Sequence, residues 1–188
     1  IGLMKMLPGM VVINPCDYNQ TKAATTAISK HYGPVYLRFG RPSVPNFTDP
    51  HLKFEIGKGI ILNPGSDVTI IATGHLVWEA LSAAEYLEKK GVHAEVINIH
   101  TIKPIDKKII LNSVKKTRAI VSAEEHNYHG GLGETVSRII SQNYPVPQEF
   151  VSTNDTFGES GKPVELMDKY GLTKEAIIDS CEKVIRRK

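Results

Sequence analysis

The feature that most restricts how this chain folds is a rhythm. Short β-branched runs alternate with helix-patterned stretches, and a cluster of prolines interrupts the alternation once. Val11, Val12 and Ile13 form an apolar run ending at Pro15, the pattern of a buried strand over residues 11–14. Asp17 is placed to cap a helix reaching to about Lys30, with Ala23, Ala24, Ala27 and Ile28 on its buried side. After Gly33-Pro34, residues 35–39 alternate Val35, Leu37 and Phe39 against Tyr36 and Arg38, a second strand. Two strands flanking a helix point to a βαβ unit. Pro42, Pro45 and Pro50 then exclude a helix or a central strand, so a domain crossing is expected within residues 45–55.

The rhythm resumes beyond the prolines. Residues 59–62 and 67–73 read as strands, paired through the turn Asn63-Pro64-Gly65. Val77, Ala80, Leu81, Ala84 and Leu87 give a helix face that Gly91 ends. A strand at 94–99 follows, then a helix opened by Asp106 and carrying Ile109, Ile110 and Val114. A strand at 119–123 leads through Gly130-Gly131-Leu132-Gly133 into a helix with Leu132, Val136, Ile139 and Ile140. A strand at 149–152 and helices around 164–170 and 174–186 complete the chain, the last lined by Ile177, Cys181, Val184 and Ile185. This order implies α/β architecture. Residues 51–188 are expected to form a three-layer αβα domain with a mostly parallel (mixed) sheet, and residues 1–50 a βαβ remnant of a second α/β domain.

Composition narrows the function classes. Of 188 residues, 41% are hydrophobic and 23% charged, which excludes a disordered tail or a fibrous repeat. The net charge of +3 is spread along the chain, so neither a nucleic-acid nor a membrane footprint is visible. No apolar run approaches the ~20 residues needed to cross a bilayer. Two cysteines, Cys16 and Cys181, can build neither a disulfide scaffold nor a closed zinc site and suit a reducing, cytoplasmic compartment. The opening IGLMKMLPGMVVINP has no initiator Met and no polar lead-in, and is expected to be the middle of something longer.

Residue chemistry alone leaves few candidates. Arg41 lies just past the 35–39 strand, beside Gly40. Ligands of parallel α/β sheets sit outside the carboxyl ends of the strands, where a guanidinium can clamp a phosphate or a carboxylate. The plainer alternative is an exposed arginine in a surface salt bridge. Glu124, Glu125, His126 and His129 could suggest a metal site, but hydrogen bonding around a strand-to-helix loop explains so few ligands better. The glycines at 130, 131 and 133 could nest an anion or simply allow tight helix–sheet packing; Val136 stands where a dinucleotide fingerprint needs glycine. DTFGESG, residues 155–161, reads as a loop turning into a helix, without a nucleophile elbow. Cys16 precedes a helix, where a thiol pKa can fall, yet no histidine is placed to activate it. Trp78 and Tyr86 read as packing residues. No general base, nucleophile or metal set emerges.

Taken together and in order, several of these segments resemble the transketolase family. LPGMVVINPCDYNQTKAA resembles a segment of its pyrimidine-binding domain, and VYLRFGRP that domain's closing strand and Arg-Pro turn. DVTIIATGH, INIHTIKPID, SAEEHNYHGGLGE and DTFGESGKPVELMDKYGLT resemble successive parts of the C-terminal domain. The resemblance implies an enzyme that moves a two-carbon ketol unit between sugar phosphates with thiamine diphosphate and a divalent cation, Mg or Ca. It implies that Arg41, matching the arginine of the Arg-Pro turn, binds the substrate phosphate. The family's catalytic and cofactor-binding groups lie before the segment corresponding to Ile1, and its G-D-G metal motif is absent here. No catalytic, cofactor or metal residue is therefore assigned, and this stretch alone is expected to be inactive and to bind no cofactor. The expected partners are the sugar phosphate, an N-terminal thiamine-diphosphate-binding part or subunit, and a homodimer partner covering an apolar patch at residues 1–10. Cys16 and Gln20 depart from the more usual alanine and glutamate. Deoxyxylulose-phosphate synthase, a dehydrogenase E1 β subunit, and a non-catalytic dimerisation or regulatory module are the alternatives.

Overall fold

The structure, a computed structural model, describes residues 1–51 and 53–188. A short helix, α1 (Gly2–Met6), precedes strand β1 (Val11–Ile13), helix α2 (Tyr18–Ile28) and strand β2 (Val35–Leu37). Asp17 caps α2, its Oδ1 accepting from the Gln20 amide at 2.8 Å. β1 and β2 run parallel with Val11 opposite Val35, so the βαβ unit forms as its pattern requires. Ala24 is buried there, and Ala23, Ala27 and Ile28 pack around it with Val35, Leu37 and Phe54.

Strands β3 (Ile60–Asn63) and β4 (Val68–Ala72) follow, then helix α3 (Leu76–Glu88) and strands β5 (Ala94–Asn98) and β6 (Thr101–Lys103). The rest is helix α4 (Lys107–Thr117), strand β7 (Ile120–Asn127), helix α5 (Leu132–Asn143), strand β8 (Gln148–Thr153), and helices α6 (Pro163–Lys169) and α7 (Lys174–Ile185). The main sheet has the order β3-β5-β4-β7-β8. Its β5-β4-β7-β8 part is parallel and β3 is an antiparallel edge, the mixed sheet expected. Alternation on β4 divides the core. Val68, Ile70 and Ala72 pack with residues of α3 and α7, while Ile71 packs with residues of α4 and α5, giving three layers. Thr69, on the α4 side, pairs its hydroxyl with Ser113 and Thr117 at 2.6 Å, which satisfies a buried polar group. No helix among the described residues is long and apolar enough to cross a membrane.

Two features depart from the sequence expectation. β3 and β4 do not pair; β5 lies between them. The turn at 63–65 passes across the end of β5 instead of folding back. Asn63 Nδ2 donates to the Ala94 carbonyl at 2.7 Å. Gly65 lies so close to the next peptide that a Cβ would stand 2.3 Å from the Ala94 carbon and the Glu95 nitrogen. The second departure is β6, which joins the other sheet. It pairs antiparallel with β1, giving the order β2-β1-β6. The Asn14 amide also donates to the His100 carbonyl at 2.8 Å. The βαβ unit and the main domain thus share a sheet.

The apolar opening divides. Ile1 is buried with Val12 and Ile102, and Met4 and Met10 pack against them, whereas Leu3 and Met6 are 84% and 80% exposed. The patch expected over residues 1–10 is therefore confined to Leu3, Met6 and Leu7; Ile1 is covered by its own chain.

Candidate functional site

The carboxyl ends of β2, β4 and β7 converge beside the proline-rich passage, as the switch between strands in an α/β sheet provides. Three charged or ionisable side chains meet there. Arg38, the residue after β2, donates through Nη2 to the Glu125 carbonyl at 2.9 Å and lies 3.6 Å from that residue's Oε2. Its Nη1 donates to Asn14 Oδ1 at 3.4 Å. His75, at the start of α3, brings Nδ1 to 3.6 Å from the same Glu125 oxygen. Glu125 Oε2 is shut off from solvent and makes no hydrogen bond among the described residues, and these two nitrogens stand 3.6 Å from it.

Gly40 closes against this group. A Cβ on Gly40 would stand 2.0 Å from His75 Cε1 and 2.3 Å from Nε2, so the backbone of the turn lies close against the Cε1–Nε2 edge of the imidazole. Arg41, the next residue, is exposed and, among the described residues, has no hydrogen bond or ion pair. It stands at the rim of a cavity of about 800 Å³ whose wall includes Pro45, His75, Trp78, Glu125 and Met167. The cavity floor is mainly apolar, with Trp78 tilted against Phe47 at a ring separation of 5.6 Å. The passage at 42–50 is anchored behind the rim by Asp17. Asp17 Oδ2 accepts from the Phe47 amide at 2.9 Å and the Thr48 amide at 2.7 Å, while Oδ1 accepts from the Thr48 hydroxyl at 2.7 Å. A guanidinium that is unpaired among the described residues and borders a cavity is an arrangement that binds a phosphate, sulfonate or carboxylate.

The other candidates take structural places. β7 extends through Asn127, which puts Glu124 and His126 on one side and Glu125 on the other. Glu124, only 1% exposed, accepts from the Leu132 and Gly133 amides at 2.7 and 2.8 Å. The first amides of α5 are thereby occupied, and an external anion has no place in the glycine loop. Burial pushes the Glu124 carboxyl above its usual range, a cost those amides offset in part. Gly133 allows close packing, since a Cβ there would stand 2.6 Å from the Phe150 ring and 2.8 Å from Ser122 Oγ. His126 accepts from the Gly2 amide at Nε2 and turns Nδ1 to the Asn127 carbonyl at 2.6 Å. Burial lowers its pKa. His129 faces Glu134 at 3.7 Å and stacks on Tyr128. Among the described residues, no group of three or more His, Cys, Asp or Glu side chains could hold a metal ion.

Cys16 is buried, and Asn98 Nδ2 donates to its Sγ at 3.2 Å; desolvation pushes the thiol far above its usual range. Cys181 lies in the core of α7 with its thiol pushed up in the same way. Neither is an activated nucleophile. The 155–161 loop is exposed, and its Gly158 and Glu159 contribute to the cavity wall. Sequence reasoning did not bring His75, Glu125 and Arg38 together. Glu125 and Arg38 carried a signal, as charged residues at strand ends, but the two strands are adjacent neither in sequence nor in one sheet.

The family model for the C-terminal domain of transketolase matches residues 57–177. A 6-deoxy-6-sulfo-D-fructose transketolase subunit from a Clostridium species (strain MSTE9) is 42% identical over 188 residues, covering 100% of this chain and 58% of that protein. An apulose-4-phosphate transketolase subunit from Phocaeicola vulgatus is 35% identical over 188 residues, covering 100% of this chain and 60% of that one. A solved structure described as a split gene transketolase, inactive beta4 tetramer, superposes with a TM-score of 0.97 at 42% identity, over 100% of this chain and 61% of that chain. The chain therefore spans less than two thirds of the length of the relatives it matches.

Proposed function

The chain belongs to the transketolase family through its C-terminal domain, and on that premise we propose that it forms the part of a transketolase that grips the anionic end of the sugar and joins the cofactor-binding part. In the complete enzyme a two-carbon ketol unit passes between sugar phosphates, with thiamine diphosphate and a Mg or Ca ion. In this proposal the cofactor and the ion are held by the complementary part, and no residue of this chain is assigned to them. The observation that carries the reading is Arg41: an exposed guanidinium at a cavity mouth, past the end of a parallel strand. Two relatives named for a sulfosugar and a sugar phosphate support it, because both names specify an anionic sugar. Those relatives are named as subunits, which supports a complementary N-terminal subunit as partner and inactivity of this chain alone. Dimer assembly through the exposed Leu3 and Met6, a cytoplasmic setting with both thiols reduced, and a place in pentose phosphate metabolism belong to the same proposal.

The test is steady-state kinetics of the complete enzyme with a pentose phosphate and the free pentose as acceptors. Arg41→Ala is expected to raise KM for the phosphorylated acceptor by roughly a hundredfold, the worth of a charge-assisted contact of about 3 kcal/mol. KM for the free pentose should move little. Equal effects on both acceptors would refute the assignment. Deoxyxylulose-phosphate formation in place of ketol transfer would refute the transketolase reading.

A further inference from the structure

The cavity beside the proline-rich passage runs along one stripe of α3. His75, Trp78, Glu79 and Ser82 border it at the spacing of a single helix face. At 1.5 Å per residue, His75 and Ser82 lie about 10 Å apart along the axis. Gly40 lies against His75, which puts the Arg41 turn at one end. The chemistry a turn further on is different. We propose that this far end is a binding site for a small organic cation, an ammonium carried on a flat apolar body, with Trp78 against the body and Glu79 meeting the charge. The inference goes beyond the transketolase reading and makes no use of Arg41.

The apolar part comes from two helices. Trp78 is only partly buried, and its ring is tilted against Phe47 at 5.6 Å, which steadies the indole while it still borders the cavity. Met167 and Tyr170, at the end of α6, wall the same space. The Tyr170 hydroxyl donates to the Phe157 carbonyl at 3.0 Å, so its polar atom is engaged elsewhere. A volume of about 800 Å³ is in the range of small-molecule sites. Of the aromatic side chains, an indole face attracts a cation most strongly.

The charge of the ligand follows from the acids around that wall. Glu79 on α3, Asp168 on α6 and Glu175 on α7 border the cavity together. Glu79 Oε2 accepts from the Lys174 amide at 3.0 Å. The Lys174 ammonium pairs with Glu175 at 3.6 Å, and Glu159, also in the wall, is taken by Lys169. Among the described residues, no cationic side chain forms an ion pair with Glu79 or Asp168. Burial pushes the Glu79 carboxyl above its usual range; the charges of Glu175 and Asp168 add to this, and the Lys174 amide and ammonium oppose it. A half-buried carboxylate beside two others is short of positive charge, which a bound ammonium supplies. An anionic ligand would meet three like charges in the same place.

The test is fluorine NMR of the complete enzyme labelled with fluorotryptophan, the Trp78 line being the one that Trp78→Phe removes. Phenethylammonium is the probe; phenethyl alcohol and phenylacetate are its neutral and anionic counterparts. The ammonium should shift the Trp78 line saturably, with a midpoint on the order of 1 mM, modest because few atoms make contact. The alcohol and phenylacetate should bind at least about tenfold more weakly. Glu79→Gln keeps an acceptor for the Lys174 amide and removes the charge. It should weaken the ammonium about tenfold and move the alcohol by less than about twofold. Should Glu79→Gln not fold, Glu175→Gln at an exposed position decides, with a weakening of about threefold expected for the ammonium alone. Three probes that bind alike, or a charge-removing variant that treats ammonium and alcohol alike, overturn the proposal. A Trp78 line that no probe shifts at about fiftyfold above that midpoint overturns it too, since the cavity is then filled or closed in the complete enzyme. Ketol transfer is not part of the readout, so failure of the transketolase reading leaves this test intact.

Discussion

Acid should weaken this chain through one histidine. His100 is 1% exposed, packed against the Phe54 ring at 4.1 Å, with Nδ1 and the Thr101 hydroxyl 3.0 Å apart. Burial lowers its pKa from 6.5 to about 4, and the Asp106 carboxylate opposes this only weakly. The folded-state value lies below the unfolded one, so the folded chain binds this proton less readily. The neutral imidazole thus contributes stability that is complete above pH 6.5 and is lost as the pH falls towards about 4. At about 1.4 kcal/mol per pKa unit the full loss is about 3 kcal/mol, of which about 2 falls between pH 7 and pH 5. Urea unfolding of the parent and of His100→Asn at those two pH values measures it. The variant loses packing against Phe54 at both, which cancels in the comparison. It should lose about 2 kcal/mol less than the parent on acidification. Equal losses in the two proteins, within about 0.5 kcal/mol, would refute the assignment of the acid sensitivity to His100.

Other perturbations follow from the same packing. Asp17→Ala leaves the Gln20, Phe47 and Thr48 amides without their acceptor and should cost about 4 kcal/mol, a helix cap plus buried donors. Urea unfolding checks the loss, and one under about 1 kcal/mol would contradict the anchoring of the 42–50 passage. Both cysteines should resist iodoacetamide in the folded chain at mildly alkaline pH and react once urea unfolds it, because burial keeps both thiols protonated. Rapid native labelling of Cys16, read by mass spectrometry, would show that its pocket opens.

Much of the fold was legible because its signals are local. The apolar runs at 11–13, 68–72, 94–98 and 120–123 are strands, and Asp17 and Asp106 are caps, as spacing alone indicated. Each depends on residues within a turn or a strand of one another. The paired strands expected at 59–73 failed for the complementary reason. A turn sequence states where the chain reverses, but which strand enters the gap depends on the buried surface of β5. The 124–129 cluster shows the same effect. Strand alternation puts Glu124 and His126 on one side because β7 runs on to Asn127. Local pattern could not foretell that Glu124 would be consumed by the amides of α5, or that Glu125 would stand between Arg38 and His75.

The sequence by itself determined the α/β class, the helix caps and the proline-rich break, since each follows from backbone preference and apolar periodicity over a few neighbours; Arg41 was singled out by a family resemblance and not by periodicity. Only the tertiary structure decided that β6 would complete the sheet of β1, and that His75 would lie beneath Gly40. It alone placed Arg41 at the mouth of a cavity walled by both parts of the chain. Those outcomes rest on which buried surfaces fit one another across long stretches of chain. Periodicity states that a face is buried, but it does not state against what.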